Sequence, residues 1–285
     1  MSNSDEELDF GTMFPEPARP ATPPPTHHTY ASPLLNTFLR PTEDTDVSLT
    51  IQLVGSDPLW GHVLWNAGVS LADYLLHLES TQPGAVSGNK VLELGAGGGL
   101  PSLVAGCAGA EKVVITDYPE ESLLDNLRWN VAENTRILRS AGCGTDLSAH
   151  VSVGGHLWGK DTASLGKGYD ILILSDLIFN HSQHTALLYS SEALITPHSG
   201  RAYVFHSHHL PQYYLRDLGF FTLAAERGWR VRRVVREHRG VMFTEDEGDE
   251  AKRGTVWGWE MRFVGVGSGR WDPEEHSDGL TGIMI

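Results

Sequence analysis

The sequence predicts an α/β protein with a doubly wound, mostly parallel sheet that ends in an antiparallel strand pair. Three observations carry this. From Lys90 onward short apolar runs alternate with helical patterns, the connections between them are short, and the last two strand-like runs have no long helical pattern between them. Alternation of that kind buries a parallel sheet between two layers of helix. A direct connection lets the final two strands pair antiparallel.

In residues 47–54, Val47, Leu49, Ile51 and Leu53 alternate with polar residues, the period of a half-buried strand. In 64–79, Leu64, Ala67, Leu71, Tyr74, Leu75 and Leu78 recur at helical spacing. Residues 91–94 read as a short strand, 100–109 as a helix of small residues, 113–116 as a second strand and about 120–139 as an amphipathic helix. Further strands are expected at 151–153, 171–174 and 202–205, with a helix at 184–195 before the last of them. Residues 213–227 form the next helix pattern, and 230–235 and 256–263 the closing strands.

The ends differ in composition. Pro15, Pro17, Pro20 and Pro23-Pro24-Pro25 favour extended backbone. Residues 1–46 are therefore expected to be a Pro-rich arm, disordered over 1–19 and able to dock over 22–30. One domain of 47–264 follows, and the Gly-rich, acidic stretch 265–285 is expected to be a flexible tail.

The 285 residues carry 21 basic against 36 acidic side chains, a net charge of -15. Phosphate neutralisation needs clustered cations, so direct nucleic-acid binding is not expected. Only Cys107 and Cys143 are present, too few for a disulfide framework, which points to a reducing compartment. Residues 1–10 are polar and acidic, unlike a leader, and no apolar run is long enough to cross a bilayer. A monomer in cytosol or nucleus, the cytoplasm first, without membrane contact, is the expectation.

The chemistry concentrates in Val91-Leu92-Glu93-Leu94-Gly95-Ala96-Gly97-Gly98-Gly99-Leu100-Pro101, a glycine-rich turn between a strand and a helix. Glycines there admit positive φ and close approach of a ligand, and the helix start offers N–H groups to a carboxylate. A dinucleotide loop, G-x-G-x-x-G, would need a third glycine where Leu100 stands. The pattern is instead E-x-G-x-G-x-G, Glu93 to Gly99, the glycine motif of class I methyltransferases. Asp117 ends the next strand, where nucleoside-binding α/β folds accept bonds from ribose hydroxyls. Asp117-Tyr118-Pro119 also suits a plain turn.

These residues resemble a known family. Pro58-Leu59-Trp60-Gly61-His62, Leu64-Trp65-Asn66-Ala67-Gly68, the glycine loop and Thr116-Asp117-Tyr118-Pro119 look like the fungal nicotinamide N-methyltransferase-like proteins of the seven-strand lysine methyltransferases. Leu157-Trp158-Gly159, Ser175 to Ser182 and Val241-Met242-Phe243 extend the match over about residues 22–263. The resemblance implies a Rossmann-like, seven-stranded class I methyltransferase fold and S-adenosyl-L-methionine as cofactor. It implies methylation of the N-terminal α-amine and an adjacent lysine of translation elongation factor 1-alpha. Trp65, Glu93, Gly95, Ala96, Gly97, Asp117, Trp158 and Ser175 would hold the cofactor, Ser175 standing where relatives often carry alanine. Tryptophan faces suit an adenine or a sulfonium, although most of the 8 Trp in any such chain serve packing.

Methyl transfer to an amine needs an aligned, uncharged lone pair, so positioning supplies much of the catalysis. Asp176, Asn180 and His181 follow the fourth strand, where ligands bind in open α/β sheets. Asp176 would orient the amine, Asn180 accept a bond from it, and His181 or a water take its proton. Related lysine methyltransferases carry D-x-x-Y or D-x-x-F here, and Phe179 would wall the amine site. Asn180 and His181 also read as a helix cap and first turn. No metal is expected: His206 and His208 share a strand face, but zinc wants more ligands, and rim histidines are the better reading. Glu245-Asp246-Glu247 with Asp249 and Glu250 is a solvated loop or a steering surface for a basic substrate. Two other functions stay open, a small-molecule N-methyltransferase for nicotinamide-like substrates and a catalytically silent cofactor-binding module.

Overall fold

The structure of the chain is a computed structural model that describes residues 23–42, 46–56, 58, 60–245 and 247–271. Its centre is a sheet built from β3 (Lys90–Leu94), β4 (Lys112–Asp117), β5 (Val151–Gly155), β6 (Ile171–Ser175), β7 (Arg201–Ser207), β8 (Trp229–His238) and β9 (Thr255–Phe263). The order is β5-β4-β3-β6-β7-β9-β8. The first five run parallel, while β9 lies antiparallel to both β7 and β8. This is the expected seven-stranded, mostly parallel sheet with its C-terminal antiparallel pair.

Strand alternation sends side chains to two cores. Val91, Ile115, Ile173 and Phe205 join α2 (Asn66–Thr81), α3 (Leu100–Cys107) and α4 (Glu121–Ser140) on one face. Leu92, Val114, Leu174 and Val204 join α5 (His184–Leu194) and α6 (Tyr214–Glu226) on the other. Buried on both faces, the central strands read as continuous apolar runs. From β3 the chain winds outward to β4 and β5, then returns to start β6 on the other side of β3. A crevice opens at that reversal, beyond the carboxyl ends of β3 and β6.

The arm contributes more than the sequence suggests. β1 (Thr26–Ala31) pairs antiparallel with β2 (Ser48–Leu53), Tyr30 facing Leu49, as a separate two-stranded sheet. Between them α1 (Pro33–Leu39) has Pro33 in its first turn, where the missing N–H costs nothing. Leu35 and Leu39 are buried in the same core as α2 and α3. A boundary at Val47 therefore separates elements that pack together. The disorder expected for residues 1–19 lies outside the described residues. The tail likewise begins attached: Arg270 bonds the Trp229 carbonyl and Val231 donates back to Arg270, while 272–285 lie outside the described residues.

The outer edge of β2 is closed by a helix. Asn126, Asn130 and Asn134 stand four apart on one face of α4 and are all buried. Asn134 accepts from Thr50 N–H and donates to Thr50 C=O, both at 2.8 Å. Asn130 does the same at Gln52, at 2.7 and 2.9 Å, and donates also to the Gly98 carbonyl at 3.0 Å. Asn126 adds a third bond to the Gln52 carbonyl at 2.9 Å. Carboxamides carry the same donor and acceptor as a peptide group, so the three side chains satisfy an edge that water or another strand would otherwise claim.

Candidate active site

The crevice holds a cavity of about 410 Å³, within the usual range for a small-molecule site. All eight residues expected to hold a cofactor line it: Trp65, Glu93, Gly95, Ala96, Gly97, Asp117, Trp158 and Ser175. Asp176, Phe179 and Asn180 line it as well.

The floor is the turn between β3 and α3. Gly95 has φ +64, and a Cβ there would stand 2.8 Å from both the Trp158 ring and Leu177. Gly98 is glycine for another reason: its Cβ would strike Ile51 and Leu53 of β2, at 2.7 and 2.8 Å. The β1–β2 ribbon thus packs directly on the glycine loop. Asp117 braces the loop from the side, its Oδ2 accepting the Gly97 N–H at 2.7 Å and its Oδ1 the Tyr118 N–H at 2.6 Å. Glu93 is buried; its Oε2 accepts the Ser102 N–H at 3.2 Å, while Oε1 has no partner. Burial, with the Asp117 charge adding to it, pushes the Glu93 carboxyl up to about 8.

One side wall is the segment after β5. His156 N–H bonds the Asp117 carbonyl at 2.8 Å. The Ser190 hydroxyl of α5 bonds both the His156 ring, at 2.8 Å, and the Gly159 N–H, at 2.9 Å. Trp158 is held between these anchors and so reaches the glycine loop.

A further wall is the turn after β6. Asp176 is buried at φ +56, with its N–H on the Phe205 carbonyl and its Oδ2 2.9 Å from His209 Nε2. His209 packs on Trp65, ring centroids 4.6 Å apart. His184 Nε2 bonds the Ile178 carbonyl at 2.6 Å, and burial holds its imidazole below the ordinary value. Asn180 stands just before the short turn His181–Gln183 without a side-chain bond to its backbone, and its Oδ1 accepts the Ser182 hydroxyl at 2.9 Å. Asn180 thus holds the cap position without a capping bond and lines the cavity.

His181 differs from expectation. It is not among the cavity-lining residues, and its Nε2 lies 2.7 Å from Asp217 Oδ1 on α6. Asp217 is buried and bridges to His208 Nδ1 at 2.6 Å through its other oxygen. His181 thus links the β6 turn to α6 instead of lining the cavity. His206 Nε2 instead accepts from Trp259 Nε1 at 3.1 Å, so the two histidines of one strand face serve different partners. The pairing of His209 with Asp176 was not foreseen. Its signal was the doublet His208-His209 at a strand end, which sends adjacent side chains to opposite sides.

The donor set fits a nucleoside-bearing methyl donor. An acid ends β4, a second acid keeps an unpartnered buried oxygen, the glycine loop leaves room beside Trp158, and Leu100 opens α3 where a dinucleotide loop needs glycine. Fold and site thus define a Rossmann-like methyltransferase dependent on S-adenosylmethionine. Its relatives narrow the class. A family model described as lysine methyltransferase matches residues 43–225, and the chain belongs to that family. The protein N-terminal and lysine N-methyltransferase EFM7 of Cryptococcus neoformans var. neoformans serotype D (strain B-3501A) is 42% identical over 293 residues, spanning 94% of this chain and 93% of that one. The protein of the same description from Schizosaccharomyces pombe is 38% identical, over 90% of this chain and 97% of its own. A putative RNA methyltransferase structure from Pyrococcus horikoshii aligns with 73% of this chain and 89% of that one, at 18% identity and a TM-score of 0.49, too distant to bear on substrate.

Proposed function

We propose that this enzyme methylates the N-terminal α-amine and an adjacent lysine of translation elongation factor 1-alpha, in the cytoplasm. The observation that carries a protein amine is the buried Asp176 carboxylate, held by His209 beneath Trp65 at the carboxyl end of β6. A carboxylate among aromatic faces suits a cationic amine and gives a neutral pyridine little. The descriptions of the Cryptococcus and Schizosaccharomyces relatives support the two amine classes. The elongation factor itself rests on the sequence resemblance. Two buried free cysteines, Cys107 and Cys143, suit a reducing compartment.

When bound, S-adenosylmethionine supplies an electrophilic methyl group on sulfur. The chain's own residues bind and align. Asp117, Glu93, the glycine loop, Trp65 and Trp158, all lining the cavity, would hold the donor. Asp176 orients the amine and Asn180 accepts one of its N–H groups. An α-amine titrates near neutrality, so a useful fraction reaches the site uncharged; a lysine gives up its proton at greater cost. With His181 turned to Asp217, the departing proton goes to water. Glu245, Glu247, Asp249 and Glu250 are exposed beyond Phe243 and would steer a basic chain end.

The test is incubation with labelled methyl donor and either purified elongation factor 1-alpha or nicotinamide. Label in the N-terminal peptide of the factor, falling as salt rises to about 0.3 M, is the expected result. Label in nicotinamide alone would replace this reading.

A further inference from the structure

Trp60 stands in an unusual position for a large apolar residue. It lines the cavity, is 45% exposed, and has φ +66. Among the described residues four non-glycines have positive φ, and two of them, Trp60 and Asp176, belong to this cavity. Such backbone costs a bulky residue of the order of 1 kcal/mol or more and persists where the surroundings enforce it. His62 stacks on one face of the indole, ring centroids 5.7 Å apart, which leaves the other face for the cavity.

Its neighbours place it. Gly61 lies over the glycine loop, its Cα 3.9 Å from where a Cβ on Gly97 would stand. Trp60 meets Trp65 edge-on at 6.1 Å, and Trp65 in turn packs on His209, the partner of Asp176. The wall therefore runs from the glycine loop to the buried carboxylate. Phe243 supports it from behind, 6.2 Å from Trp60 and 5.8 Å from Trp65. The Phe243 carbonyl accepts from Arg253, itself buried, at 2.8 Å, and Asn66 of α2 bonds the Gly240 carbonyl at 3.0 Å. The loop that carries Phe243 is thus tied at both ends.

We infer that Trp60, braced by Phe243 and Trp65, is the receiving face for the substrate's cationic amine, a specificity element that acts with Asp176. This rests on the reading of the substrate as a protein amine. The carboxylate binds an ammonium through its N–H groups; the indole face attracts the charge without needing any N–H. The two contributions can therefore be separated by a cation that lacks N–H.

The probe is a pair of peptides of the elongation factor N-terminus, one with a trimethylated α-amine and the other acetylated. Calorimetric titration of the full chain is expected to show tighter binding of the trimethylated peptide. That preference should shrink about tenfold in Trp60→Ala and about twofold in Trp60→Phe, the scale of a desolvated cation–π contact. S-adenosylhomocysteine should bind all three proteins within about twofold, which reports an intact fold. A preference kept in full by Trp60→Ala overturns the assignment while leaving the protein-amine reading in place. Loss of S-adenosylhomocysteine binding in that variant would move Trp60 to the cofactor wall and overturn it too. A wild-type protein that neither methylates the factor nor prefers the cationic peptide removes both readings.

Discussion

His209 Nε2 and Asp176 Oδ2 lie 2.9 Å apart, a side-chain link between the segment after β7 and the turn after β6 that adds to the Asp176 N–H bond on the Phe205 carbonyl. The same imidazole lies against Trp65, so one side chain touches both the carboxylate and the aromatic wall.

His209→Ala should leave Asp176 without that partner in a buried place. We expect kcat/KM for the protein substrate to fall by the equivalent of about 1.5–3 kcal/mol, the scale of a hydrogen bond to a charged group. His209→Gln, which keeps a donor, should recover part of the loss. Steady-state kinetics with unchanged kcat/KM in the alanine variant would deny the pair a role.

Asp117→Ala should weaken S-adenosylmethionine binding by about 1.5–3 kcal/mol. It removes an acceptor for ribose hydroxyls and also the brace on the Gly97 N–H. Calorimetry on the folded variant decides the matter; an unaltered dissociation constant would remove Asp117 from the site.

Glu93 gives a pH dependence whose sign can be worked out. Its folded-state value, about 8, stands above the ordinary 4.5 because burial disfavours the charge. The folded chain therefore holds a proton near pH 7 that the unfolded chain has released. Its contribution to stability is full below about 4.5 and lost as pH rises through about 8. His156 and His184, both lowered by burial, act in the opposite sense as pH falls below about 6.5. The difference in stability between wild type and Glu93→Gln isolates the carboxyl. Relative to the variant, wild type should lose stability between pH 5 and 8, and a pH-independent difference in urea midpoints would contradict this.

Asn130→Ala should destabilise the fold by about 2–3 kcal/mol, because it strands the Gln52 N–H and a Gly98 carbonyl in buried surroundings. Arg136→Ala on the same helix, an exposed residue whose ion pair among the described residues is with Glu133, should change stability by less than about 0.5 kcal/mol. Equal losses in denaturant unfolding would mean that the asparagine face is ordinary helix surface.

Much of this was legible beforehand. The β3 and β6 runs are apolar and short because helices cover both faces, and glycine and aspartate follow at the strand ends. What stayed hidden has physical causes. α1 has 7 residues, about two turns, too short to show a period, and its Pro33 reads as arm rather than helix start. The asparagines at 126, 130 and 134 share a face, but polar residues on a helix normally mark the solvent side. His181 was placed by its neighbours in sequence, and only the fold reveals Asp217 of α6 within reach. Trp60 and Phe243 are far apart in the chain, and no local pattern announces that they touch.

The amide ladder on α4 has a consequence for reading variation in this protein. Helix α4 acts there as a surrogate strand, its side-chain amides about 5–6 Å apart, with Asn130 and Asn134 meeting Gln52 and Thr50, alternate residues of β2. Substitutions along it should follow the logic of sheet pairing: a change at one rung leaves the neighbouring rungs in register, while a one-residue insertion in α4 would rotate every amide away from β2 together. Because one rung also holds Gly98, such a slip would be felt at the floor of the catalytic crevice, far from the inserted residue in sequence.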